Sequence, residues 1–307
     1  MRTVFLGTSD FAAAVLERLA SSEHSPALVV TRPDRPAGRG RKISSPPVAL
    51  RARELGLELA QPENVNGPEG IELINGAREG DGGAGAPGPV VVCAFGALIT
   101  EPLLSVTEML NVHPSLLPRW RGAAPIERAI MAADEQTGVS IMRLTAGLDS
   151  GPVCLKATEP IRPDDTFGSL SQRLQSLGGE LLLDAIERSP GFVEQSEDGV
   201  TYAEKIAASD RLLDPARPAL ELELLIRALH PHIGARAGLP DGSLIGVHRA
   251  ALLDGDSTPS CEGVFEDGGR LLFGCRPGLL ELLVVQPPGG RPMDGSAYLR
   301  GHVPGRA

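Results

Sequence analysis

The 307-residue sequence predicts an α/β protein in two domains, a helix-flanked parallel sheet followed by a small β-barrel. Three observations carry that prediction. A strand-like run (Thr3-Val4-Phe5-Leu6-Gly7), a helical run (Phe11 to Leu19) and a second strand-like run (Ala27 to Thr31) follow within the first 31 residues, the βαβ unit of a parallel sheet. The continuous apolar stretch Val90 to Phe95 reads as a fully buried strand. Late in the chain, apolar runs at 244–253, 262–265, 271–275 and 279–285 are punctuated by Gly and Pro, the rhythm of a small barrel.

Taken in order, Thr8-Ser9-Asp10 supplies an N-cap, Ser9 or Asp10, for the first helix. The turn before it holds only Gly7, not Gly-x-Gly-x-x-Gly, so nothing there calls for a dinucleotide. Arg32 to Lys42 packs five basic residues and one Asp into eleven positions, with two prolines and two glycines that oppose a helix. Val48 to Leu55 reads as a helix and Leu57 to Ala60 as a short strand. Asn75 to Pro89 is so rich in Gly and Pro that it reads as a flexible surface insertion. Strands are expected near Leu110 to His113, Val139 to Leu144 and Val153 to Ala157, with a helix from about Pro125. Asp165 is expected to cap a helix whose Phe167, Leu170, Leu174, Leu177 and Leu181 form one apolar face. Ser189-Pro190-Gly191 closes the first domain, giving a Rossmann-like catalytic domain over 1–190, a linker over 191–208, and an OB-like β-barrel domain over 209–307 that opens with a helix at Ala219 to Leu229.

Composition narrows the function. The formal charge of −10 argues against coating nucleic acid by bulk attraction, so any RNA contact has to be local. Up to Glu204 there are 18 basic and 27 acidic residues, net −9; the remainder has 11 and 12, net −1. The apolar runs are too short to span a membrane, and Met1-Arg2-Thr3 leads into a strand without a signal-peptide pattern, so the expected compartment is the cytoplasm. Cys93, Cys154, Cys261 and Cys275 lie far apart, with no zinc spacing; four reduced thiols and no metal are expected.

The chemistry is concentrated in residues 111–125, Asn-Val-His-Pro-Ser-Leu-Leu-Pro-Arg-Trp-Arg-Gly-Ala-Ala-Pro. On a strand Asn111 and His113 face the same side, and the turn behind them is stiffened by Pro114 and Pro118. Gly122 lets the backbone pass close to something. Further on, Thr145-Ala146-Gly147-Leu148-Asp149-Ser150-Gly151 offers a carboxylate in a glycine-bracketed turn. An amide, an imidazole and a carboxylate at strand ends suit acyl transfer: two groups for an oxyanion, one to orient the imidazole and take a proton. A hydrolase with Ser115 as nucleophile is rejected, because the Gly-x-Ser-x-Gly elbow is absent.

These residues resemble the folate-dependent formyltransferase family, in which Asn-x-His and a later Asp flank a Ser-Leu-Leu-Pro turn followed by Arg-Gly-x-x-Pro. The Arg32–Lys42 run and Thr201-Tyr202-Ala203-Glu204-Lys205 are similar to the branch that formylates the methionine on initiator tRNA, so the likeness covers nearly the whole chain. The resemblance implies catalysis by Asn111, His113 and Asp149, with a folate cleft at Ser115, Leu116, Leu117 and Pro118 and with Phe95 and Leu98 nearby. It implies RNA contacts from Arg39, Arg41, Lys42 and Lys205, with Arg39 presented between two glycines. It further implies 10-formyltetrahydrofolate as co-substrate with no permanently bound cofactor and initiator methionyl-tRNA as partner; from the short apolar runs no membrane association is expected, and the expected state is a monomer. Where the family commonly has Gly after the His, this chain has Pro114, which removes a backbone N–H and leaves the site to side chains. Sibling formyltransferases acting on nucleotide sugars or glycinamide ribonucleotide, a formyl-folate hydrolase, and an RNA-binding module without chemistry remain open alternatives.

Overall fold

Strand β1 (Arg2–Gly7) is buried from Thr3 onward, as a central strand covered on both faces requires. It begins a computed structural model that describes residues 2–37, 42–79, 87–253 and 261–302. Helix α1 (Asp10–Ala20) follows, and the Ser9 hydroxyl accepts the Ala12 N–H at 3.3 Å, so of the two cap candidates Ser9 serves. Phe11, Val15 and Leu19, with Ala12 and Leu16, repeat every four residues and form its buried face.

After β2 (Pro26–Val30) the basic segment is not loop throughout. β3 (Arg35–Ala37) and β4 (Lys42–Ser44) pair antiparallel, Arg35 opposite Ser44. Arg39 and Arg41 lie outside the described residues. Helix α2 (Pro47–Glu54) and strand β5 (Leu59–Ala60) match the expected elements to within two residues.

The expected insertion is shorter than its composition implied. Helix α3 (Pro68–Glu79) takes in Asn75 to Glu79, and β6 (Pro87–Cys93) takes in residues 87–89; residues 80–86 lie outside the described part. Gly70 and Gly76 hid this helix in the sequence. A Cβ on Gly70 would stand 2.4 Å from the Val65 carbonyl oxygen, so Gly there permits close packing.

Next come α4 (Leu103–Val106), β7 (Met109–His113), β8 (Arg121–Gly122), α5 (Pro125–Met131), β9 (Gln136–Arg143) and β10 (Val153–Pro160). The seven-stranded sheet runs β10-β9-β7-β6-β1-β2-β5. β5, β2, β1, β6 and β7 are mutually parallel, whereas β9 is antiparallel to β7, with His113 opposite Ser140 and Leu110 opposite Arg143. A parallel sheet with an antiparallel edge is a common variant, but it changes how Asp149 arrives. The carboxyl end of β9 lies beside Leu110, not His113, so the following segment has to double back.

Helix α6 (Phe167–Arg188) begins under Thr166, not Asp165. Thr166 Oγ1 accepts the Ser169 N–H and Ser169 Oγ accepts the Thr166 N–H, while Asp165 takes the Ser169 hydroxyl and the Arg162 N–H. After β11 (Tyr202–Ala203) and α7 (Ala219–Leu229), the later strands are β12 (Ala235–Gly238), β13 (Leu244–Leu252), β14 (Gly263–Asp267), β15 (Arg270–Gly274), β16 (Leu279–Gln286) and β17 (Met293–Asp294), before the short α8 (Gly295–Leu299). They form an antiparallel sheet, β12-β13-β16-β15-β14 with β17 on β16, curled as an open half-barrel.

Contacts group the chain into two compact units. One comprises residues 1–122, 137–160 and 171–202; the other 123–136, 161–170 and 203–307. In the first, Val4, Leu6, Leu28, Val30, Val90 and Val92 pack with Ile74 of α3. In the second, Leu222, Leu225, Ile226 and Leu229 of α7 pack on Val247, Phe273, Leu280 and Val285 of the curled sheet. Among the described residues no helix is long and apolar enough to cross a membrane.

Candidate active site

Parallel register sets the stage. Gly7 pairs with Cys93 and Val92 with Asn111, so the carboxyl ends of β1, β6 and β7 lie side by side. Asn111 and His113, two residues apart on β7, are 8% and 5% exposed. Asp149 reaches them from the segment that doubles back: Asn111 Nδ2 is 3.5 Å from its Oδ1, and His113 Nδ1 is 3.7 Å from its Oδ2. The three residues named from sequence are thus brought together.

Three partners of this cluster were not read from sequence. His113 Nε2 lies 2.9 Å from the Trp120 carbonyl oxygen. A carbonyl can only accept, so Nε2 carries the hydrogen and Nδ1 is the nitrogen left to exchange protons. The Gly122 N–H donates to Asp149 Oδ2 at 2.8 Å, which identifies what the glycine lets the backbone approach; its φ of +123° is one that L side chains rarely adopt. Gln195 donates from Nε2 to the Asp149 and Gly151 carbonyl oxygens at 2.8 and 2.7 Å.

Backbone strain collects here. Trp120 and Asp149 have φ of +63° and +43°, in the left-handed region that favours glycine. One supplies the carbonyl on His113 and the other the carboxylate. Such conformations cost about 1–3 kcal/mol each and persist only where surroundings enforce them.

The enforcement comes from the turn. Ser115 is fully buried; its N–H returns to the His113 carbonyl and its hydroxyl donates to the Arg119 carbonyl. Ser140 Oγ accepts the Leu117 N–H and donates to the Ser115 carbonyl, and Lys156 Nζ donates to the Leu117 carbonyl. Burial lowers the Lys156 pKa. Thr201 adds a strap: its hydroxyl accepts the Trp120 N–H and its carbonyl the Arg121 N–H, each at 2.9 Å. The Thr201–Lys205 segment thus begins as a support of the site, while Lys205 itself is exposed. The Arg119 guanidinium stacks over the Trp120 ring, 4.3 Å from its centroid.

Of the residues expected to line a folate cleft, Leu98 is 75% exposed and Leu116 and Pro118 are half-buried. Ser115, Leu117 and Phe95 are turned inward; Leu117 packs with Met142 and Val153, and Phe95 joins the core beneath the sheet. A separate cavity of about 600 Å3, lined by Arg2, Leu28, Glu58, Glu69, Glu72 and Gly76, opens at the amino ends of β1 and β2 and contains none of the cluster.

For a metal, one group stands out among the described residues. Glu23, His24 and Glu187 can bring ligand atoms within 4.8 Å of one another, remote in sequence from Asn111 and on exposed carboxylates. Cys93 and Cys275 are buried; burial raises the Cys93 thiol pKa strongly and pushes that of Cys275 up to about 11, so neither offers a thiolate near neutral pH.

Comparison with known proteins adds two family matches, "Formyl transferase" over residues 1–186 and "Formyl transferase, C-terminal domain" over residues 205–303. A chain from Ruegeria pomeroyi named methionyl-tRNA formyltransferase is 41% identical over 305 residues, covering 98% of this chain and 97% of its own. One of the same name from Methylococcus capsulatus is 41% identical over 310 residues, covering 99% and 97%. Two solved structures share the fold at low identity. HypX from Aquifex aeolicus in complex with tetrahydrofolic acid has a TM-score of 0.66 at 16% identity, covering 100% of this chain and 49% of its own. WlaRD, a sugar 3N-formyl transferase crystallised with dTDP and 5-N-formyl-THF, has 0.64 at 14%, covering 92% and 97%.

Proposed function

The chain belongs to the formyl transferase family, and from that premise we propose that it moves the formyl group of 10-formyltetrahydrofolate onto the α-amino group of methionine carried by initiator tRNA. The observation that carries this reading is the end-to-end likeness, at 41% identity, to chains named for that reaction. The sugar formyltransferase shares the fold at 14% identity only.

An α-amino group has a pKa of about 7.7–8.0, so a useful fraction is neutral near pH 7 and can attack. Its nitrogen bonds to the formyl carbon and the carbonyl oxygen becomes an oxyanion. Asn111 has two amide hydrogens; one is directed to Asp149 and the other remains for that oxyanion. His113, with Nε2–H spent on the Trp120 carbonyl, takes the proton of the attacking amine on Nδ1. Asp149, 3.7 Å away, stabilises the imidazolium, which is now a second donor toward the oxyanion. Collapse breaks the bond from carbon to the folate nitrogen, and that nitrogen receives the proton. No covalent enzyme intermediate is needed.

Leu98, Leu116 and Pro118 suit the apolar wall of a folate cleft, with Ser115, Leu117 and Phe95 holding its shape from behind. Arg39, Arg41, Lys42 and Lys205 supply local positive charge for the acceptor arm on a chain that is acidic overall. The test is transfer of labelled formyl from 10-formyltetrahydrofolate to charged initiator tRNA, with elongator methionyl-tRNA as control. Labelled formyl-methionine on the initiator alone is expected. Formate release without tRNA, or transfer only to an amino sugar or a ribonucleotide amine, would overturn the substrate assignment.

A further inference from the structure

We propose that Gln195 is the positioning residue of the site, a clamp that sets the Asp149 carboxylate against His113; this rests on the reading of Asp149 as catalytic. Residues 195–196 carry no chemistry-bearing motif, and Gln195 touches none of the reacting groups directly. Its amide nevertheless joins both halves of the site. Nε2 spends its two hydrogens on the Asp149 and Gly151 carbonyls, either side of Ser150, at 2.8 and 2.7 Å. Oε1 accepts from Arg121 Nε and Nη2 at 3.0 and 2.9 Å. Arg121 is only 4% exposed and directly precedes Gly122, whose N–H holds Asp149 Oδ2.

Asp149 is therefore gripped twice from the same stretch of chain, at its carboxylate by Gly122 and at its backbone by Gln195 through Arg121. This double grip opposes relaxation of its φ of +43°, since a strained residue persists only where its surroundings over-determine it. An amide of this length meets both ends. It must accept from a guanidinium at one end and donate twice at the other, whereas a carboxylate would face two carbonyl oxygens with a third negative oxygen.

The test is a double-mutant cycle. A misplacement of about 1 Å can cost on the order of 10²-fold in rate, so Gln195→Ala is expected to lower kcat roughly 10- to 100-fold, with KM for the folate donor within twofold. If Gln195 acts through Asp149, the same substitution in an Asp149→Ala background adds little, because coupled residues are not additive. Gln195→Met keeps the length and bulk of the side chain and loses both donations; it is expected to match Gln195→Ala, and it carries the test should the alanine variant fail to fold. Near-wild-type kcat in both Gln195 variants overturns the proposal while leaving Asp149 in place if Asp149→Ala is slow. Full additivity in the double variant overturns it as well, because Gln195 would then act elsewhere. Unimpaired kcat in Asp149→Ala refutes the catalytic reading itself, and the clamp falls with it.

Discussion

Asp149→Asn separates charge from shape at the centre of the site. The asparagine carbonyl can still accept the Gly122 N–H, so the doubled-back segment keeps its anchor; what disappears is the negative charge 3.7 Å from His113 Nδ1, together with the long 3.5 Å contact from Asn111 Nδ2, which would then face an amide nitrogen. Both side chains are nearly enclosed, 6% and 14% exposed. At the effective dielectric of about 20 that describes such sites, two unit charges near 4 Å attract by about 4 kcal/mol. At about 1.4 kcal/mol per decade this sets an upper bound near 10³-fold on the rate lost with the imidazolium partner. We expect kcat to fall roughly 10²- to 10³-fold at saturating donor and tRNA, with the melting transition little changed. Rapid-quench formylation measures the rate and calorimetry the fold. A kcat within threefold of wild type would refute the argument that Asp149 acts by its charge. A collapsed melting transition would show that the carboxylate is structural.

Four further outcomes follow from named contacts. Gly122→Ala forces an L side chain to φ +123°, costing about 1–3 kcal/mol, so kcat should fall roughly tenfold by steady-state assay as the N–H shifts off Asp149. Arg39→Ala is expected to reduce kcat/KM for tRNA by about one to two decades and leave donor affinity unchanged, on the scale of a ~1–3 kcal/mol bidentate contact; unchanged kinetics would leave Arg39 without a role in tRNA choice. Leu222→Ala, at a fully buried position against the curled sheet, should cost about 2–5 kcal/mol in chemical denaturation. Because burial raises the Cys93 and Cys275 pKa values, both remain thiols at pH 8, so iodoacetamide with mass spectrometry should modify neither until denaturant is added.

Much of the fold is readable because its signals are local. Burial on both faces makes β1 and β6 continuous apolar runs, and a four-residue rhythm marks α1 and α7. Helix α3 was hidden because Gly70 answers a tertiary contact with Val65, which local propensity cannot register. The reversal of β9 was hidden for a similar reason, since strand direction is not encoded in an apolar run. At the site, the strand period of two placed Asn111 and His113 on one face, and the motif added Asp149. Sequence could not show that the Trp120 carbonyl takes Nε2, that the Gly122 N–H takes the carboxylate, or that Gln195, 46 residues from Asp149, grips its backbone. Each is a backbone contact, and backbone groups carry no residue identity to read. Pro114 fits this picture: Asn111 and His113 meet Asp149 through their side chains, so the missing N–H at that position removes none of the contacts described.

The proposal that Asn111, His113 and Asp149 together transfer formyl to initiator methionyl-tRNA is checked by a single-turnover experiment. Enzyme in excess is mixed with labelled 10-formyltetrahydrofolate and charged initiator tRNA, for the wild type and for Asn111→Ala, His113→Ala and Asp149→Ala, with donor affinity measured separately by calorimetry. Rapid labelling by the wild type is expected, with labelling slowed by roughly 10²-fold or more in each variant, the usual scale for losing an oxyanion donor or an acid–base group, at unchanged donor affinity. Labelling at the wild-type rate by any two of the three variants would contradict it.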